Sequence, residues 1–191
     1  MSSIAGHTAT GVAIFLACSP PHRPLPRWSV LPFVVLAVCP DVDYFAVWLL
    51  GYAATPRITH SLLFSMAATL LVWNALKRIA PLRLSGPALL AASISHPVLD
   101  LLVGAHPVPL LWPSGVAASI PVGVLPSAGA LSLGNYYLWR NLIIELGILL
   151  PVLALIVGLR RHVPAYHIRA WTLRLILPWA ALAAWSVSLA R

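Results

Sequence analysis

Histidine and aspartate recur along this chain at spacings that would let them share one ion or one proton. His96 and Asp100 are four residues apart in His96-Pro97-Val98-Leu99-Asp100, which on a helix puts both side chains on one face about one turn apart. Pro97 disturbs a regular helix, so the pair could instead straddle a helix start. Asp41 and Asp43 follow Pro40 in Pro40-Asp41-Val42-Asp43. An unbroken helix would turn these two to different sides, whereas a break at Pro40 lets both carboxylates converge or bridge two ions. His60 lies in Arg57-Ile58-Thr59-His60-Ser61 and His7 in Gly6-His7-Thr8. Mixed imidazole and carboxylate donors suit a divalent ion, zinc first and then manganese or iron, over calcium. The same groups could form a proton relay or pair structurally. Plainer readings exist for the rest: Thr59 as an N-cap with His60 facing water, His7 at the interface, and Glu145 paired with Arg140 or added to the ligands. Ser61 and Ser95 each adjoin a histidine, but adjacent residues rarely face one another, so no Ser-His-acid arrangement stands out.

The placement of the acids sharpens this. Only four side chains can be negative at neutral pH, Asp41, Asp43, Asp100 and Glu145, and all four lie in strongly apolar stretches. An acid at membrane depth costs about 2.5 to 3.5 kcal/mol on insertion scales, so acids kept there point to use. With 191 residues, 60% hydrophobic and 8% charged, and a mean hydropathy of +0.91, the chain is too apolar for a soluble core of its size. A single integral membrane domain over 1–191 is expected. The net charge of +8 comes from short basic clusters between apolar runs, which fits loops at anionic lipid and argues against nucleic acid. Cys18 and Cys39 fall within apolar segments and read as small core residues, not as a disulfide.

The elements that must position these residues are transmembrane helices. The fold class expected is all-α, a polytopic bundle of five to six helices, with six apolar runs near 4–19, 28–54, 59–76, 86–104, 138–159 and 172–190. The second run is interrupted by Pro40, and broken helices at membrane depth usually line an enclosed cavity. The stretch 105–137 has no Lys, Arg, Asp or Glu and is rich in Pro, Gly and Trp; it could lie in the interface or fold back as a lid. Arg23, Arg27, Lys77, Arg78, Arg83, Arg160, Arg161, Arg169 and Arg174 fall on one side of six alternating spans, against Arg57, Arg140 and Arg191 on the other. The larger group marks the cytoplasmic side and places the N-terminus outside. His7, Asp41, Asp43, His60, His96, Asp100 and Glu145 then all come to the middle or outer depth of the bundle.

In order, His7 with Gly11, Cys39-Pro40-Asp41-Val42-Asp43, Thr59-His60-Ser61, Ser95-His96 with Asp100, and Leu110-Leu111-Trp112-Pro113 resemble the YdjM-type family of inner-membrane-associated metal-dependent hydrolases of bacteria. The resemblance runs from about residue 5 to 115, with a weaker hydrophobic tail beyond. Members typically carry a histidine and a glycine just before Thr-His-Ser; Thr55 and Arg57 stand in those places here. The family is distantly similar to the helical zinc-dependent phospholipase C and single-strand nuclease group, which implies phosphoester hydrolysis. The resemblance implies a bacterial inner-membrane location and strengthens His7 and His60 as site residues. The expected function is a membrane-embedded metal-dependent hydrolase acting on a lipid or lipid-linked phosphoester. His7, Asp41, Asp43, His60, His96, Asp100 and Glu145 are its candidate metal ligands, and Asp43 and His60 carry the catalytic roles. The alternatives are a small proton-coupled transporter or a non-catalytic membrane protein using its buried acids.

Overall fold

The structure, a computed structural model, describes residues 2–20, 25–51, 56–78, 84–127 and 133–189, with backbone alone at 45–48. Thr55, Arg23, Arg83 and Arg191 lie outside these residues. Among the described residues the regular structure is helical: α1 Ile4–Cys18, α2 Leu31–Val38, α3 Asp43–Leu50, α4 Leu62–Arg78, α5 Gly86–Val103, α6 Tyr136–Arg160 and α7 Ala165–Ser188, with 3-10 turns at Arg27–Val30, Cys39–Val42 and Ile58–His60. One isolated bridge pairs Val108 with Ala118. Each of the six apolar runs therefore carries helix. Three helices, α5, α6 and α7, are long and apolar enough to cross a membrane. α1 is apolar but has 15 residues, about 22 Å, short of the ~30 Å hydrocarbon layer.

Local sequence explains the boundaries. The second run does break at Pro40: α2 gives way to the turn Cys39–Val42, and α3 resumes at Asp43. α5 instead continues through Pro97 and ends at Gly104, which takes the left-handed conformation at φ 66°. A proline lacks the N–H that would bond the carbonyl four residues back. Here the Ser65 hydroxyl of α4 donates to that Ser93 carbonyl at 3.5 Å. His96 and Asp100 thus lie on one continuous helix. α7 begins at Ala165, seven residues before the expected start of the sixth run, with Pro164 at the N-cap position.

α1 packs against α2, α5 and α6, while α4 lies on α5 and α7 on α6. The close crossing of α1 and α2 depends on Gly11, where an added Cβ would meet the Phe33 carbonyl oxygen at 2.8 Å. One core cluster joins Phe33 and Leu36 to Leu89 and Ala92; another joins Leu99 and Val103 to Leu125, Ile144 and Ile148. The starts of α1, α4 and α6 and the end of α5 meet at one end of the bundle. The uncharged stretch after α5 folds back over this end: Leu110 O accepts from Leu62 N at 3.0 Å, and Leu102 O accepts from Val124 N at 2.7 Å and Leu125 N at 3.1 Å.

Candidate metal centre

α5 supplies His96 and Asp100, the turn after α2 supplies Asp41, the turn before α4 supplies His60, and α1 supplies His7. All five are buried, His7 and His96 completely. His60 Nε2 lies 3.2 Å from His96 Nε2 and 3.2 Å from Asp100 Oδ2. His96 Nε2 is 3.7 Å from Asp100 Oδ2. Asp41 Oδ1 stands 3.7 Å from both His60 Nε2 and His96 Nε2. Tetrahedral zinc with bonds of about 2.0–2.1 Å holds neighbouring ligand atoms about 3.4 Å apart. His60 Nε2, His96 Nε2 and Asp100 Oδ2 therefore have the separations of a zinc-type ligand set, and Asp41 Oδ1 stands at the same order of distance from the two imidazole nitrogens.

The hydrogen bonds behind the imidazoles orient them. A carbonyl oxygen can only accept, so Ala37 O, 2.8 Å from His96 Nδ1, requires a proton on that nitrogen and leaves the Nε2 of a neutral ring bare. Thr59 donates to the Asp43 carboxylate at 3.0 Å; its oxygen is then left to accept from His60 Nδ1, also at 3.0 Å. Two Nε2 lone pairs consequently face each other across 3.2 Å, an arrangement that needs a proton or a cation between them. Hydrogen bonds of this kind, to the ring nitrogen that faces away from the ion, hold metal-binding histidines in place.

His7 stacks on His96 with ring centroids 3.8 Å apart, and its Nε2 is 3.6 Å from Asp100 Oδ1. Two groups of three bring their ligand atoms within 4.8 Å of one another: His60, His96 and Asp100, and His7, Asp41 and His96. His96 has one lone pair facing the centre, so it can serve only one of them at a time. The buried side-chain atoms without a hydrogen-bond partner include both ring nitrogens of His7 and Asp41 Oδ1. Unpaired buried polar atoms are costly, and a cation here would give them a function.

Asp43 and Glu145 fall in neither group. Asp43 is gripped by Arg57, whose Nη2 and Nε donate to it at 2.6 and 2.8 Å, and its Oδ2 lies 3.7 Å from His60 Nδ1. Arg57 also donates to Tyr44 Oη at 3.2 Å, packs 4.3 Å over that ring and comes within 3.8 Å of Asp41. Burial opposes the Arg57 charge, but its bonds to Asp43 outweigh this and hold its pKa above the ordinary value. Glu145, fully buried, does not pair with Arg140, which bonds Asn141 instead. It accepts from the Ser2 hydroxyl and from Ser3 N at 3.0 and 3.1 Å, so it closes the N-terminus of α1. Ser2 N donates to Asp100 Oδ1 at 2.8 Å. Thr59 is not the cap of α4; Ser61 is, accepting from Phe64 N at 3.1 Å.

The supporting atoms were less visible in the sequence than the ligands. Ala37 contributes a backbone carbonyl, which every residue has. Ser2 and Ser3 carried the signal of an N-cap but none for contact with Glu145, more than a hundred positions away.

A family model described as YdjM inner membrane protein matches residues 1–181. No curated protein and no solved structure matches the chain.

Proposed function

The chain belongs to the YdjM inner membrane protein family, and on that premise we propose that it is a membrane-embedded metal-dependent hydrolase acting on a lipid or lipid-linked phosphoester. The observation that carries this reading is the cluster of His60 Nε2, His96 Nε2 and Asp100 Oδ2, 3.2 to 3.7 Å from one another, with Asp41 Oδ1 3.7 Å from both imidazole nitrogens. His60, His96 and Asp100 would hold one divalent ion, zinc first and manganese or iron next, with Asp41 beside the two imidazoles as a further ligand. The chemistry such an ion supplies when bound is Lewis acidity, which polarises a phosphoryl group and makes water acidic enough to attack near neutral pH. His7 stands beside this set with both ring nitrogens unpartnered, placed to accept a proton. Asp43 acts through Thr59, keeping the proton of His60 on Nδ1. Arg57 is about a quarter exposed and lies 3.8 Å from Asp41, where it brings a positive charge to the edge of the centre. The apolar helices around the centre suit a substrate that arrives from the lipid phase.

The competing reading places a proton, not an ion, between His60 and His96, as in a relay or a small transporter. A single proton satisfies only one pair and leaves Asp41 Oδ1 without a partner, so that orphaned atom favours the metal. Elemental analysis of protein purified in detergent separates the two. About one equivalent of metal is expected in the wild type and none in Asp100→Ala or His96→Ala of equal helicity. Metal-free wild type, with unchanged stability in Asp41→Ala and Asp100→Ala, would overturn the proposal.

A further inference from the structure

At the opposite end of the bundle from the metal-type cluster, α1, α6 and α7 leave a groove of about 890 Å³, near the top of the range for built small-molecule sites, roughly 300–1,000 Å³. Its walls are apolar, among them Val12 and Leu16 of α1, Leu153 and Val157 of α6 and Trp171 of α7. Arg161, His167 and Arg174 also line it. We propose that this groove binds an anionic glycerophospholipid, with an acyl chain along the apolar walls and the phosphate against Arg161 and Arg174.

Charge accounting favours this occupant. The chain has four acidic side chains, and all four are engaged at the other end: Asp43 by Arg57, Glu145 by Ser2 and Ser3, and Asp41 and Asp100 by the histidines. No acidic side chain of this chain remains to neutralise Arg161 or Arg174, so their counter-charge must come from outside. Arg174 lies nine residues into α7, about 13 Å along its axis, within a helix apolar enough to span. A cation at such depth seeks an anion or the headgroup layer.

Arg161 is also held in place. Its Nε donates to the Leu16 carbonyl at 2.8 Å, one of the carbonyls left unpaired at the end of α1. The guanidinium is thereby fixed, with its other two nitrogens available to bond a second acceptor. Basic pockets between helices on the positively charged side are a known design for anionic headgroups. α7 itself is largely exposed, and lipid in the groove would complete its packing against α6 and α1. The inference does not depend on the hydrolase reading.

The test uses full-length protein in detergent, with native mass spectrometry and thermal melting in added phosphatidylglycerol or phosphatidylcholine. Phosphatidylglycerol should be retained selectively and raise the melting temperature. Arg161→Gln with Arg174→Gln should weaken its binding about thirtyfold, from roughly one headgroup contact per arginine, while metal content stays at the wild-type level. Ala154→Phe fills the groove without touching either charge and should reduce retention of both lipids. Equal retention of the two lipids by the wild type, or an undiminished preference in the double variant, would overturn the proposal. So would a dimer in which a second copy occupies the groove.

Discussion

Each of the four acids needs an offset for its burial, and the offsets divide them into two jobs. Asp43 is neutralised by Arg57. Glu145 receives the Ser3 amide and the Ser2 hydroxyl at the start of α1, where the helix dipole contributes about half a positive charge. Asp41, 3.8 Å from the same Arg57, and Asp100 are left sharing His7, His60 and His96. Two carboxylates facing imidazole nitrogens match one divalent cation. Chelating it would leave Asp41 and Asp100 with mostly unshielded charge, so the melting temperature should fall with chelator and recover with zinc in a concentration-dependent way. Unchanged melting across that titration would rule out the match. Thr59 gives a finer test, since its hydroxyl links Asp43 to His60 Nδ1. Thr59→Val should weaken metal affinity about 10–100-fold, the usual cost of losing such a partner, while Thr59→Ser keeps it. Metal titration of the two variants, with helicity as the control, decides this.

Between elements, the centre depends on α1 being held from both sides. Gly11 lets it approach α2 until a Cβ there would lie 2.8 Å from Phe33 O, and Glu145 of α6 holds its first turn. Removing the Glu145 carboxylate leaves the buried Ser3 amide and Ser2 hydroxyl without their acceptor, at about 1–3 kcal/mol. Glu145→Ala should therefore lower stability by that order and loosen His7, whereas Glu145→Gln retains one acceptor and should cost less. Thermal or denaturant unfolding in detergent measures both, and a neutral Glu145→Ala would remove the clamp from the account. The ligands were legible because His and Asp at membrane depth are expensive, and the positions of Pro40 and the helix starts brought them to one level. Glu145 shared that depth but had no motif, and its natural partner by sequence was the nearby Arg140. Only the fold shows that the first turn of α1 meets α6 at Glu145, which turns a presumed ion pair into a helix clamp. Pro97 misleads in the opposite sense: its lost backbone bond is taken over by Ser65 of another helix, and no local rule anticipates that.

Over the whole molecule, charge is sorted by end. The acids gather with His7, His60 and His96 near the starts of α1 and α4 and the end of α5, while Lys77, Arg78, Arg160 and Arg161 lie at the ends of α4 and α6. Basic residues concentrate on the cytoplasmic side of inner-membrane proteins. The metal-type end and the uncharged stretch folded over it are therefore expected to face outward, and the α6–α7 corner inward. Val116 is 58% exposed in that stretch and Val163 39% exposed at the corner, so single cysteines at these positions can report the two sides. In a background with Cys18 and Cys39 replaced by serine, a membrane-impermeant maleimide applied to spheroplasts should label Val116→Cys directly. It should label Val163→Cys only after the membrane is permeabilised. The reverse pattern would put the centre on the cytoplasmic side, where a substrate would have to enter from the inner leaflet. Labelling of both positions in sealed spheroplasts would mean that the two ends do not lie on opposite sides, and the charge division would then have a cause other than orientation.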